Sequence, residues 1–378
     1  MGLDRSKVMR ELQHISVKLF KDISAEFDTA RNIWLSIAKN ESFRSAVAVA
    51  NFQVPLPLWQ GELDQVIPIE LNRVKRKTIV AVDGSQIYPD RHQGSSCFLI
   101  NIGSVVISYG IEGRRVMFSS EPQIFVGDEE SYVHGSLVDF VNCKREEREF
   151  ADGLAIMSGL KASCIPGEYL LLLLDGSLIF WHLEAKDPVL RMTFLSCYCA
   201  SLETLYKSGL ACVGYISMAK NKDLVNLLRF AVHSGIFKDT STNESLDHLL
   251  DVHVSNFFLE PYMRTVVFKH QSKFCDLYPS SVRPYFFYLH VGSEIARIEI
   301  PAWIALNEDY VNDISSIILD NCIKGRGYPV ALAEAHEQAV VKGPDREFFY
   351  HLIQKVGFDH HRNVLISQKN VKKRGIGI

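Results

Sequence analysis

The chain has 378 residues, 47% hydrophobic and 22% charged, the make-up of an ordinary globular protein with room for one large domain or two of average size. Its formal net charge of −3 excludes a surface coated in basic groups, so any nucleic-acid site has to be a local groove. No apolar run is long enough to span a bilayer, and the N-terminal "MGLDRSKVMRELQH" lacks the apolar core of a signal peptide. The 8 cysteines are scattered without a C-x-x-C pair, which argues against a zinc site or a disulfide framework and for free thiols in the cytoplasm.

Residues 1 to about 50 read as amphipathic helix, with Val8, Leu12, Ile15 and Leu19 at spacings of three and four. "NFQVPLPLWQGELDQVIP" (51–68) breaks that pattern with prolines and a glycine and reads as an extended linker. Residues 1–68 are thus expected to form a helical segment and linker ahead of a main domain over 69–378. Within that domain, "TIVAV" (78–82) is a buried strand that delivers Asp83, followed at once by Gly84 and Ser85. "CFLINIGSVVISYG" and "RRVMFSS" read as an antiparallel hairpin, and "GDEESYVHGSLVDFVNCKREEREFADGLAIMSGLK" as a long helix with an acidic start.

The D-G-S tripeptide then recurs. "EYLLLLLDGS" (168–177) is a second apolar run that ends on Asp175, again followed by Gly-Ser. Two buried strands carrying an aspartate at the same relative place bring both carboxylates to one rim of one sheet. Such a pair repels itself unless a cation or a shared proton neutralises it, and a divalent metal suits oxygen donors. A helix at about 189–208, the strand "ACVGYIS" and the helix "KDLVNLLRFAVH" follow. After a polar stretch come three strand-like runs, "MRTVVFKH", "RPYFFYLHV" and "ARIEIPAWIA", and then two helices, "PVALAEAHEQAVV" and "PDREFFYHLIQKVGF". The order describes an α/β protein with a mixed sheet flanked by helices. The basic tail "QKNVKKRGIGI" closes the chain.

A strand-hairpin-helix-strand order with acidic residues on the first and later strands is the ribonuclease H-like pattern. Within it, "VAVDGSQIYPDRH", "LLLLDGSL", "GYISMAKNKDLVNLL" and "GYPVALAEAHEQAVV", in that order, resemble the NurA family of nucleases. The resemblance runs from about residue 78 to the C-terminus. It implies a ribonuclease H-like fold and a divalent-metal deoxyribonuclease, usually active with Mn²⁺ and with Mg²⁺ as the other candidate. It also implies digestion of DNA from the 5′ end, cutting of single strands, and a homodimer seated on a hexameric HerA-type ATPase that translocates DNA during end processing, in repair or defence.

Carried over residue by residue, the resemblance matches Asp83 and Asp175 to the two metal-binding aspartates, and Tyr328 and His336 to the C-terminal tyrosine and histidine. The family also supplies a glutamate from the intervening helix, for which "KREEREFAD" offers Glu146, Glu147 and Glu149. Glu149 is preferred, because Phe150 and Leu154 mark the buried face beside it. Asp83, Glu149, Asp175 and His336 are then the expected metal ligands, the imidazole nitrogen favouring Mn²⁺. Tyr328 precedes Pro329, which disfavours helix at the tyrosine and sets the start of the next helix; its hydroxyl could meet a phosphate or its ring a base. Ser85, Arg91, His92, Lys220 and Lys222 are candidates for holding the DNA backbone, a task that needs no sequence readout.

Two other readings share parts of this pattern. Actin-like and sugar-kinase-like ATPases also carry an aspartate-glycine strand end in each of two ribonuclease H-like halves, but their phosphate hairpin needs a residue between Asp and Gly that D-G-S lacks. A non-catalytic DNA-binding subunit would keep the fold and let the carboxylates serve as structural caps.

Overall fold

A computed structural model describes residues 3–19, 22–90, 97–114, 116–126, 136–237 and 246–360. Its strands are β1 (Leu58–Trp59), β2 (Val66–Pro68), β3 (Lys77–Ile87), β4 (Cys97–Tyr109), β5 (Met117–Val126), β6 (Tyr169–Asp175), β7 (Ala211–Ile216), β8 (Met263–Thr265), β9 (Phe268–Lys269), β10 (Pro284–His290) and β11 (Ile295–Pro301). They join in one sheet in the order β1-β9-β10-β11-β7-β6-β3-β4-β5, with β8 bridging β2 to β10. At its centre β3, β6 and β7 run parallel, while β4 and β5 continue from β3 as antiparallel neighbours. This is the ribonuclease H-like arrangement, extended beyond β7 by the antiparallel β11 and β10.

The helices are α1 (Arg5–Leu19), α2 (Ser24–Ile37), α3 (Glu41–Val49), α4 (Leu137–Lys161), α5 (Pro188–Lys207), α6 (Asp223–His233), α7 (Asp251–Ser255), α8 (Ala302–Ala305), α9 (Glu308–Lys324), α10 (Val330–Ala339) and α11 (Gly343–Asp359). The unbroken leucine run of β6 follows from burial on both sides, as expected of a parallel strand. Leu170, Leu172 and Leu174 face α4 and α5, packing with Phe150, Met157, Phe194 and Tyr198. Leu171 and Leu173 face α9 and α10, packing with Ile314, Ile317, Ile318 and Leu332. The period of two along an extended chain thus divides one apolar run between two cores.

The N-terminal helices divide as well. Ile33, Trp34 and Ile37 of α2 and Phe43 and Val47 of α3 are buried in a third core with α6 and β10. Trp34 stacks on Phe258 with ring centroids 4.7 Å apart. By contrast, Val8, Met9, Leu12, Ile15 and Leu19 of α1 are exposed. The proline-rich segment is extended, and it enters the sheet as β1 and β2. "MRTVVFKH" forms two short strands rather than one, because the Thr265 hydroxyl accepts the Tyr288 N–H at 3.0 Å in place of a ladder carbonyl. "ARIEIPAWIA" stops extending at Pro301, which lacks an N–H and precedes α8. Among the described residues no helix is long and apolar enough to cross a membrane.

The position of α10 is set by a single glycine of β4. Gly103 of β4 lies opposite Asp83 of β3, and α10 comes down directly onto it. A Cβ at Gly103 would sit 2.3 Å from the Ala339 nitrogen and 2.4 Å from the Ala335 carbonyl oxygen. The end of α10 is pinned there by Asn101, whose amide donates to the Ala339 and Gln338 carbonyls at 2.8 and 3.2 Å, and by the Ser85 hydroxyl on the Ala339 carbonyl. Gly103→Ala therefore has to lift α10. Thermal denaturation is expected to show a loss of about 1–3 kcal/mol, the cost of overpacking against unyielding backbone.

Candidate active site

Both D-G-S aspartates lie where the parallel strands run out, but only the second ends its strand. β3 pairs with β6 as far as Val82, then continues through Asp83, Gly84 and Ser85 on its partnership with β4 to Ile87. Its glycine serves closeness rather than a turn: a Cβ at Gly84 would fall 2.5 Å from Glu149 Oε1 and 2.7 Å from Arg145 Cγ. β6 does stop at Asp175, and Gly176 follows with φ +142°, a backbone that favours glycine. The Gly176 N–H donates to the Tyr215 carbonyl at 3.0 Å, which ties the turn to β7.

Each aspartate has a partner from the C-terminal motif. Asp83 Oδ2 lies 2.7 Å from His336 Nδ1, and its Oδ1 accepts the Gly84 N–H at 2.8 Å. Asp175 Oδ2 accepts the Tyr328 hydroxyl at 2.8 Å, and the Tyr328 ring stands edge-on to Tyr215 with centroids 5.5 Å apart. Pro329 separates the two partners, with Tyr328 before the first turn of α10 and His336 two turns in. The His336 side chain is 61% exposed and that of Asp83 17%, so the pair opens to solvent on the histidine side.

Glu149 completes the group from α4. It is ion-paired to Arg145, one turn back, with Nη1 to Oε1 at 2.6 Å, and the same Nη1 donates to the Gly84 carbonyl at 3.1 Å. Its neighbours on the helix look elsewhere: Glu147 pairs with Lys144 at 2.7 Å, and Glu146 lies between His182, Arg145 and Tyr198. Burial pushes the Glu149 carboxyl up to about 8; Arg145 opposes the shift, while Asp83, Glu146 and Asp175 add to it. Burial also raises Asp175, with Asp83 adding to it, and burial and the Asp175 charge raise the Tyr328 hydroxyl. Three carboxyl groups at one rim therefore feel one another, and a guanidinium neutralises the deepest.

The expected DNA contacts fall differently. Lys220 is exposed in the loop that follows β7, the parallel neighbour of β6, while Lys222 Nζ donates to the Asp247 carbonyl at 2.6 Å. Ser85 has its hydroxyl on α10, as described, and Ser177 donates to Glu299 at 2.6 Å. Arg91, His92 and the basic tail lie outside the described residues. Arg145, Glu299 and Gly103 also shape the site. For Arg145 the sequence signal is its i,i+4 spacing to Glu149 inside a run that reads as a solvated helix face; nothing local marks the other two.

Among the described residues, no three His, Cys, Asp and Glu side chains enclose a point closely enough to hold an ion. The donor chemistry nonetheless suits a hard divalent cation, since three carboxyl groups converge there as oxygen donors and positive charge would favour the ionised form of Glu149. Arg145 supplies part of that charge in this arrangement.

A ribonuclease H-like sheet bearing carboxylates at the ends of its parallel strands defines the fold and site class of this chain. The NurA domain matches residues 77–341, which include Asp83, Glu149, Asp175, Tyr328 and His336. The chain belongs to the NurA family and carries its nuclease domain. Among solved structures it is similar to the crystal structure of NurA with manganese, at 11% identity and a TM-score of 0.44 over 94% of this chain and 99% of that one. The crystal structure of NurA bound to dAMP and manganese aligns at 13% identity and a TM-score of 0.34, over 90% of this chain and 94% of that one. The crystal structure of Kluyveromyces polysporus Argonaute with a guide RNA aligns at 10% identity and a TM-score of 0.27, over 75% of this chain and 27% of that one. No curated protein matches the chain.

The electrostatics of Glu149 give a test that needs no substrate. Unfolded, the group releases its proton near 4.5; folded, it keeps it to about 8. The protonated side chain therefore favours the native state fully below about pH 4.5, and that advantage is lost as pH rises to about 8. Glu149→Gln, which cannot ionise, is expected to melt like the wild type near pH 4. It should be more stable by a few kcal/mol near pH 9, measured by calorimetry in chelator.

Proposed function

We propose that the chain is a divalent-metal-dependent deoxyribonuclease that digests DNA from the 5′ end and cuts single strands. The reading is carried by the meeting of Asp83–His336, Asp175–Tyr328 and Glu149 at one rim of the sheet. Asp83, Glu149 and Asp175, with His336 as the nitrogen donor, would hold Mn²⁺ or Mg²⁺. The bound ion supplies Lewis acidity at the scissile phosphate and acidifies the attacking water.

The chain's own groups do the rest. Asp83 holds His336 through Nδ1, which leaves Nε2 as the ring nitrogen that would face the metal. Tyr328, fixed by Asp175 and by the edge of Tyr215, presents its ring and hydroxyl beside the same rim, suited to a base or phosphate at the cleavage point. Lys220, exposed in the loop after β7, suits the DNA backbone, and Ser85, Arg91, His92 and Lys222 remain candidates for the same task. The ATPase alternative requires a hairpin that wraps phosphates after each aspartate, whereas β3 runs on through Gly84 and Ser85 in unbroken pairing with β4.

A labelled single-stranded oligonucleotide incubated with Mn²⁺, Mg²⁺ or chelator tests the reaction. Wild type is expected to cleave only with metal, and Asp83→Asn and Glu149→Ala to fall to the chelator control while remaining folded. Glu147→Ala, which breaks only the pair with Lys144, should cleave as wild type does. Near wild-type cleavage by Asp83→Asn would remove the site assignment.

We also propose a cytoplasmic homodimer that works with a hexameric HerA-type ATPase, the ring feeding single- or double-stranded DNA to the rim in repair or defence. The support is the exposed apolar side of α1, next to helices whose own apolar sides are covered. Deleting residues 1–21 is expected to leave a folded chain that has lost mass in light scattering, ring binding, or both. Deleting residues 1–50 removes α2 and α3 from a core and is expected to unfold it. A 1–21 deletion that stays dimeric and binds the ring would take α1 out of both interfaces.

A further inference from the structure

Behind the Asp175 turn lies a chain of buried charges that the proposed chemistry does not use. Glu299 of β11 is fully buried, yet one carboxylate oxygen accepts three hydrogen bonds from the turn: the Ser177 hydroxyl at 2.6 Å, the Leu178 N–H at 2.8 Å and the Ile179 N–H at 3.2 Å. Its other oxygen takes the Arg297 Nε at 2.8 Å. Arg297, also fully buried, donates to Asp223 at 2.8 Å and to the Tyr288 hydroxyl at 3.1 Å, and lies over the Phe286 ring at 3.6 Å. Asp223 is in turn 3.1 Å from His270 Nε2. Charges taken this far out of water persist when paired and hydrogen-bonded, as these are through every polar atom named above, the Arg297 Nη2 alone lacking a partner.

The reach of Glu299 depends on a missing side chain. In the sheet, Glu299 is paired with Gly214 of β7, and Tyr215, the next residue, is paired with Asp175 of β6. A Cβ at Gly214 would stand 2.4 Å from the Gly176 carbonyl oxygen and 3.2 Å from Leu178 Cγ. The turn after Asp175 therefore folds down over Gly214 and meets a carboxylate that arrives from two strands away. On one side the Asp175 backbone is held by the β6 ladder, and on the other by a turn clamped to an immobile anion.

We propose that Glu299 is a positioning residue of the site: by clamping Ser177–Ile179 through the gap at Gly214, it fixes the carboxylate of Asp175 for metal binding. This rests on the metal-nuclease reading of Asp175. An anion that satisfies two adjacent backbone N–H groups and a hydroxyl at once specifies the conformation of a turn far more narrowly than packing alone. Because it is held by Arg297, the clamp cannot swing with the turn.

Manganese titration by calorimetry, on the full chain, separates the outcomes. Glu299→Gln keeps the shape but replaces one acceptor oxygen by a donor group, and is expected to weaken Mn²⁺ binding about tenfold or more, as loss of supporting hydrogen bonds around metal ligands does. Ser177→Ala removes one of the three bonds, leaves both charges paired, and should weaken binding in the same direction by less; it serves as the test if Glu299→Gln does not fold. In both variants cleavage should return as Mn²⁺ is raised to saturation, a recovery that a general loss of structure would not give. Wild-type Mn²⁺ affinity in both folded variants would overturn the proposal while leaving the metal reading in place. Failure of the wild type itself to bind Mn²⁺ would overturn the metal reading, and the proposal with it.

Discussion

The site depends on how closely one helix can approach one strand pair. α10 carries His336 and follows Tyr328, and both reach the aspartates only because β4 offers Gly103 beneath the helix. Helices normally pack on sheets through a layer of side chains. Here backbone meets backbone, and the polar groups exposed by that contact are satisfied locally: Asn101 and Ser85 bond the last carbonyl of α10. The same D-G-S tripeptide thus supplies both the carboxylate and one of the pins that hold the histidine beside it.

The second constraint is electrostatic. Gathering charge at the rim raises the cost of ionising Asp175 and, most of all, Glu149, which is the most deeply placed. Gly84 makes that placement possible by leaving room for Glu149 and for Arg145. The guanidinium answers part of the charge, and it also occupies the carboxylate that a metal would want. A divalent ion held by Glu149 would compete with Arg145 for that carboxylate.

Much of this was legible in the sequence, and the residues show why. The strands of the central sheet are long, apolar and β-branched or leucine-rich, so burial on both faces wrote itself into the composition of "TIVAV" and "YLLLLLD". Repetition of D-G-S marked the rim, and the three glutamates of α4 could be narrowed by helical geometry to the one beside Phe150. What a linear reading misses are contacts made by absence or at long range. Gly103 and Gly214 look like strand glycines of no special kind until a helix or a turn is found lying on them. Glu299 sits in "ARIEIP", where alternation marks a half-buried strand, and nothing nearby in sequence says that its partner is a turn 120 residues away. The division of the first 50 residues escaped for a related reason: all three helices are amphipathic, and only the fold reveals that α2 and α3 find partners while α1 remains uncovered.

The two aspartates are buttressed from opposite sides. Asp83 is held from the α10 side, through His336 and the contact at Gly103. Asp175 is held from the β10–β11 hairpin, and twice over. Glu299 clamps the turn that follows it, while Glu294 at the hairpin tip accepts the Tyr215 hydroxyl at 2.9 Å, the Ser217 hydroxyl at 2.7 Å and the Met218 N–H at 3.2 Å. Tyr215 in turn sets the edge against which Tyr328 stands. The hairpin lies outside the five-stranded ribonuclease H-like core, so these two glutamates give the added strands a mechanical purpose. They replace the flexibility of an aspartate at a strand end with a fixed position, as a carboxylate must have if the charge gathered at the rim is to act on a phosphate rather than relax away from its neighbours.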